Sequence, residues 1–252
     1  MNKYNAPALD KGLDIIEYLS MKAIPQSQAE IAQGLDKSPN EFYRMLMCLE
    51  ERGYLIKDVA SGKFSLSLKL YQLSHRHSPM DALLKVAKPI MEELSNQTRQ
   101  SCHLSILQKG KLMVVAQVKS PGPVSLSIEE GSVFPLIKTV SGRTLLSFIE
   151  DNELQKILEK DEDYDKLTKQ AQQSLAGQLS HIKEQGYELQ ESEITKGVTD
   201  LAVPVGIPHT GIFSVLAISS LTTIAEDRKS SDQLVKVIKD AALSIEQSAG
   251  IK

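Results

Sequence analysis

The sequence predicts an α+β chain of two unequal domains, and three observations carry that expectation. Its 252 residues exceed the usual size of one domain. Two short, capped helical segments and a β-patterned pair fall within the first seventy residues. Beyond residue 100, alternating apolar runs are interrupted by helical ones, which implies a mixed sheet flanked by helices. The expected boundaries are 1–74 for the first domain, 75–100 for a linking helical region and 101–252 for the second.

Over residues 6–20, Leu9, Leu13, Ile16 and Leu19 recur at helical spacing with Asp10, Lys11, Asp14 and Glu17 on other faces, so an amphipathic helix is expected. Pro25 breaks the chain. Ser27-Gln28-Ala29-Glu30 then has the form of a capping box, followed by Ile31 and Leu35 as core positions of a short helix ending near Gly34. The same punctuation returns with Ser38 as N-cap, Pro39 at the first helical position and Glu41 three residues after the cap. That third helix turns Phe42, Met45, Leu46 and Leu49 inward and Asn40, Tyr43, Arg44 and Met47 largely outward, and Gly53 ends it. Tyr54-Leu55-Ile56 and the run from Phe64 to Leu68 read as strands flanking the turn-rich stretch Asp58 to Gly62. Three helices, two of them capped across a tight turn, and a hairpin make a winged helix-turn-helix, whose third helix enters the major groove of DNA.

The outer face suits that task. Asn40 can pair bidentately with adenine, Arg44 with guanine or a phosphate, and Tyr43 can offer its hydroxyl to the backbone. Ser27, Gln28 and Ser38 at helix N-termini, and Lys63 beside the hairpin tip, suit phosphate contacts. On an isolated helix all of these would be ordinary solvated residues; the motif gives them meaning. Charge adds little, since the first 78 residues hold 10 Lys and Arg against 9 Asp and Glu, and the remainder 19 against 23.

The N-terminus lacks the apolar region of a signal peptide and no run is long enough to cross a bilayer, so a cytoplasmic protein with no membrane partner is expected. Two cysteines, Cys48 and Cys102, are too few for a disulfide framework and read as buried thiols. Catalysis is not expected. Cys102 and His103 are adjacent on a strand and so face opposite ways, His75 and His77 lack a third metal ligand, and no phosphate-loop or dinucleotide fingerprint occurs. No cofactor or metal is expected.

Ala8 to Leu13, Ala29-Glu30-Ile31-Ala32, Phe42 to Leu46, Leu49 to Leu55 and Phe64 to Leu70 together resemble the IclR family of bacterial regulators, and the likeness spans nearly the whole chain. Further carriers are Pro135-Leu136, Ser141 to Leu146, Gly186-Tyr187, Leu201 to Val205 and Ala217-Ile218-Ser219. One departure is a turn before the third helix, Lys37 to Glu41, longer by about two residues than the usual spacing. Periodicity predicts an amphipathic helix at 80–100, strands at 102–107, 112–118, 124–128, 198–205 and 212–219 and helices at 141–150, 151–159 and 168–185; the resemblance implies that this second domain is a GAF-like effector-binding domain. Carried over by position, it implies effector contacts from Thr139, Val140, Gln190, Asp200, Ala217 and Ser219. An unpaired Asp200 would repel an anion and favour a neutral hydroxylated or a cationic effector, unless it turns outward or pairs with Lys196. The function expected is that of a repressor whose operator binding responds to a small organic molecule, working as a homodimer because one winged helix reads only a half-site, with a homotetramer implied by the resemblance. The alternative left open is a ligand sensor or interaction module without an operator.

Overall fold

The computed structural model describes residues 6–74, 79–206, 208, 213–221 and 230–251. The chain divides into two compact units, Met1–Ser78 and Pro79–Lys252. His75, His77 and the stretch His209-Thr210-Gly211, whose composition reads as a turn, lie outside the described residues.

The first unit contains α1 (Pro7–Ser20), α2 (Gln28–Gly34), α3 (Pro39–Glu51), the strands β1 (Leu55–Lys57) and β2 (Phe64–Leu66), and α4 (Lys69–Ser74), a helix not expected from the sequence. Its core joins Ile15, Tyr18 and Leu19 to Ile31, Phe42, Leu46, Leu55 and Phe64. This corrects the inward face of α1. Leu9 and Leu13 are 62% and 46% exposed, while Ile15 is fully buried. Two apolar stripes overlap along that helix, and packing on α2 and α3 selects the one through Ile15, Tyr18 and Leu19. Gly34 lets α2 close on α1, because a Cβ there would come within 2.3 Å of the Tyr18 ring. Cys48, expected buried, is exposed, since it lies about 200° around α3 from the fully buried Leu46.

In the second unit α5 (Pro79–Thr98) precedes β3 (Ser101–Gln108), β4 (Lys111–Val118) and the short β5 (Val133–Phe134). After these come α6 (Val140–Phe148), α7 (Asp151–Leu158), α8 (Glu162–Asp165), α9 (Lys169–Gln185), β6 (Glu188–Glu191), β7 (Val198–Gly206), β8 (Phe213–Leu221) and α10 (Ser231–Ala249). The strands form one sheet in the order β5-β4-β3-β8-β7-β6. Expected as mixed, it is antiparallel in every ladder among the described residues. One face packs Cys102, Leu104, Leu201, Val203 and Leu216 against α5 and α10, so the helix expected as a linker buries Leu83, Ala87 and Met91 in this unit's core. On the other face Leu112, Ala202, Val215 and Ala217 pack with α6 and α9. Cys102 and His103 do point to opposite faces. The Cys102 thiol donates to the Met91 carbonyl at 3.3 Å, and burial pushes its pKa up to about 12.

A bulge places the site. Between β3 and β4 the register passes from Leu104 opposite Ala116 to Ser105 opposite Val114, leaving Val115 as an extra residue and exchanging the two faces of β4. Leu112 and Val114 therefore share a face with Gln117, which pairs with His103. With its amide assigned the orientation in which both atoms find partners, Gln117 holds the chain at Ile128, accepting from its N–H at 2.8 Å and donating to its carbonyl at 2.6 Å. This corrects the strand expected at 124–128: the segment has no ladder, and a side chain takes the place of a neighbouring strand.

Helix α6 is buried along nearly its whole length, Arg143 included. The Arg143 Nε lies 2.9 Å from Glu188 Oε1, while Nη1 donates to the Ile137 carbonyl at 3.1 Å and to Glu193 at 2.7 Å. Burial pushes the Glu188 carboxyl above its ordinary range, and the guanidinium beside it draws it part of the way back. Gly142 is required at the same turn, since a Cβ there would stand 2.1 Å from the Leu136 carbonyl oxygen. Removing one partner of a buried pair leaves an uncompensated charge, whereas a pair open to water contributes little. Glu188→Gln is therefore expected to destabilise this unit by about 3–5 kcal/mol and Glu193→Gln, with its side chain half exposed, by about 1 kcal/mol or less, read from urea unfolding midpoints.

Candidate DNA interface and effector cavity

In the first unit both capping boxes form, but they use the polar residues unequally. Ser27 Oγ accepts from the Glu30 amide at 3.3 Å, and Glu30 Oε2 accepts from the Ser27 amide at 2.6 Å. At α3, Glu41 accepts from both the amide and the hydroxyl of Ser38. Each carboxylate also takes a lysine: Lys63 Nζ lies 3.2 Å from Glu30, and Lys11 Nζ 2.8 Å from Glu41. Gln28 Nε2 donates to the Pro39 carbonyl at 2.8 Å, so the start of α2 is tied to the start of α3. Between them Asp36 takes a left-handed conformation, φ 52°, which Asp tolerates better than most residues and which lets the long turn close.

Ser27, Gln28, Ser38 and Lys63 thus spend side-chain groups inside the unit. Asn40, Tyr43 and Arg44 are exposed on one side of α3 and make no hydrogen bond or ion pair among the described residues. The hairpin tip is closed by Asp58, which accepts from the Ser61 amide at 2.7 Å. A bridge not expected from the sequence anchors the wing: Gln26 and Phe64 exchange both backbone hydrogen bonds, at 2.9 and 2.7 Å.

The second unit holds a cavity of about 210 Å³ on the α6 face of the sheet. Drug-sized ligand pockets start near 300 Å³, so this one has room only for a smaller molecule. Thr139, Val140, Asp200 and Ser219 line it; Gln190 and Ala217 do not. Gln190 is exposed and accepts from Gln178 at 3.0 Å, and Ala217 is sealed in the core beneath. Asp200 faces the cavity, where its Oδ1 accepts from Ser219 Oγ at 2.6 Å, and it makes no ion pair with Lys196. Sequence reasoning missed His103, on the same face of the sheet as Asp200, and Ser141 at the start of α6, whose Nε2 and Oγ stand 3.3 Å apart in the lining. Burial holds the His103 ring below its ordinary pKa, with Asp200 opposing that shift, so the imidazole is neutral at neutral pH. It also missed Ser192, Ile194 and Thr195, which cover one side from the loop that Glu193 fastens to Arg143.

A family model described as the IclR helix-turn-helix domain matches residues 8–59, and one described as the bacterial transcriptional regulator IclR C-terminal matches 78–247. The chain belongs to the IclR family. The regulator XynR of Escherichia coli K12 is 24% identical to this IclR-family chain over 96% of it and 97% of the relative. KdgR of the same organism is 28% identical over 88% and 84%. In fold, an IclR homolog from Microbacterium hydrocarbonoxydans crystallised with 4-hydroxybenzoate matches with a TM-score of 0.78 at 19% identity, covering 96% of this chain and 99% of that one. The IclR of Thermotoga maritima matches at 0.69 and 21% identity, covering 96% and 98%. This IclR-family chain is accordingly a DNA-binding transcriptional regulator with an effector-binding second domain. Its helices do not include one long and apolar enough to cross a membrane, among the described residues.

The capping carboxylates yield a pH test. Glu30 is held down to about 2 chiefly by the Ser27 amide, and Glu41 to about 2 chiefly by Lys11. Folded pKa values below the unfolded ones contribute stability that is complete above pH 4.5 and is lost as pH falls through about 2. Carboxyl resonances of Glu30 and Glu41 should titrate near that lower value. Lys11→Met should move Glu41 upward further than Lys63→Met moves Glu30, because Lys11 leads the causes at one site and the Ser27 amide leads at the other.

Proposed function

We propose that this regulator is a cytoplasmic repressor, not an enzyme, that reads its operator with α3 and releases it when a small molecule fills the cavity of the second unit. One observation carries the reading: Asn40, Tyr43 and Arg44 stand exposed and unengaged on α3 while the residues around them are consumed in holding both helix N-termini together. In this reading Asn40 and Arg44 meet base edges, Tyr43 a backbone phosphate, and Ser27, Gln28, Ser38 and Lys63 serve the phosphates through helix-terminal amides or by exchanging an internal partner. Thr139, Val140, Asp200 and Ser219 contact the effector directly, with Gln190 and Ala217 in supporting positions. Repression is favoured by the similarity to the repressor AllR of Escherichia coli, 22% identical over 98% of this chain. A homodimer, or a pair of dimers, supplies the second half-site reader, and residues 80–252 form the separable sensing part.

A gel shift with DNA from upstream of the regulator's own gene, at fixed salt, tests operator binding, and a monomer on sizing chromatography with DNA present would sink the dimer. Arg44→Ala is expected to leave the melting temperature nearly unchanged, since an exposed helix position accepts alanine. Specific binding should weaken by about 1–3 kcal/mol if the guanidinium reads a base, with nonspecific binding unaltered; a parallel loss on scrambled DNA, with a shallower salt dependence, identifies a phosphate contact instead. Asn40→Ala should follow the first pattern. Unchanged affinity in both variants would remove α3 from the interface.

A further inference from the structure

The chemistry of the cavity wall narrows the effector. Among the described residues lining it, Asp200 is the only Asp, Glu, Lys or Arg, and it lies on β7, an interior strand, with its carboxylate turned inward. Ser219 satisfies one oxygen at 2.6 Å, so the carboxylate retains acceptor capacity toward the space in front of it. His103 brings a neutral ring to the same wall. The remaining polar lining consists of hydroxyls, Thr139, Ser141, Ser127, Ser192 and Thr195, set among the apolar Leu112, Val114 and Phe134.

Three ligand classes meet this wall differently. An anion finds no cationic side chain and faces a carboxylate in a partly desolvated space, where like charges repel most strongly. At the start of α6 the Gly142 amide is taken by Thr139 Oγ1 at 3.1 Å, so an anion would have the amides of Val140 and Ser141 alone to set against the Asp200 carboxylate. A cation would pair with Asp200, but an ammonium only donates, and hydroxyls that also need an acceptor would be left with unused protons. A hydroxyl group donates and accepts, and two neighbouring hydroxyls can both donate to one carboxylate.

We propose that the cavity is built for a neutral polyhydroxylated molecule of about four to six carbons, such as a polyol or free sugar, whose adjacent hydroxyls donate to Asp200. This deepens the effector reading of the cavity and rests on it.

The test uses the full-length regulator and a matched series on one five-carbon skeleton: ribitol, the anion ribonate and the cation 1-amino-1-deoxyribitol, with neutral polyols and sugars of neighbouring lengths beside them. Binding is followed by calorimetry and operator release by gel shift. A neutral member should bind, and the corresponding aldonate should bind roughly tenfold more weakly or worse. Asp200→Asn, which keeps the size and one acceptor, should weaken the neutral ligand roughly tenfold and narrow the gap to the aldonate, since a charged acceptor is worth about that much more than a neutral one. Ser219→Ala, which leaves the carboxylate in place, should preserve the order of the series. Equal or tighter binding of the aldonate overturns the proposal, as does tighter binding of the amine or no binding by any neutral member at about 10 mM. The wild-type series decides these outcomes even if a variant fails to fold. A neutral ligand that binds without releasing operator upholds the ligand class and sinks the effector reading; 4-hydroxybenzoate releasing operator while every polyol fails does the reverse.

Discussion

The second unit is organised around one buried cation. A guanidinium taken out of water is tolerable only when carboxylate and carbonyl oxygens surround it, and Arg143, 1% exposed, finds them on three separate pieces of chain: Glu188 on β6, Ile137 before α6 and Glu193 after β6. Each piece borders the cavity or continues into a segment that does. The strand that carries Glu188 pairs with β7, where Asp200 stands, and the loop that carries Glu193 supplies Ser192, Ile194 and Thr195 to the wall. Losing Glu188 would strand the Arg143 charge, so β6 is held by electrostatic necessity as well as by packing, while the half-exposed Glu193 and the Ile137 carbonyl add weaker ties. Gln178 Nε2, donating to Glu188 Oε1 at 2.7 Å, extends the same network to α9.

The first unit solves a smaller problem by similar means. A short helix has few internal hydrogen bonds, and the unpaired amides at its start form a large share of the total. Ser27 with Glu30, and Ser38 with Glu41, satisfy those amides, and the lysine on each carboxylate ties the cap to another element, Lys63 beside the wing and Lys11 on α1. The outer residues of α3 are thereby presented on a braced surface, although the helix itself is only 13 residues long.

Much of this was legible in the sequence because it is local. The two capping boxes, Pro39 and the Asp58 to Gly62 tip depend on neighbours a few residues away, and each falls where the spacing predicts. Asp200 and Ser219 were reached through family resemblance, and the structure adds that they touch each other across β7 and β8. In the sequence His103 stands out only as a neighbour of Cys102. Its actual neighbour, Ser141, is 38 residues away and belongs to another layer, a relation that no local pattern encodes. Signals for α10 were present and unused: Ser230 and Gln233 form a capping box, and Gly250 closes the helix at φ 68°.

The sequence by itself therefore determined where the helices of the winged unit begin and end, which residues face outward on α3, and which family the chain resembles, since capping and periodicity act within a few residues. Tertiary structure alone decided which apolar stripe of α1 is buried and that 124–128 is held by the Gln117 side chain instead of a strand. It also decided that Arg143 is an interior residue. Those outcomes depend on partners that lie beyond a local window, from 11 residues away for Gln117 and Ile128 to 45 for Arg143 and Glu188, and on a bulge at Val115 that exchanges the faces of a strand whose own alternation of apolar residues continues unbroken.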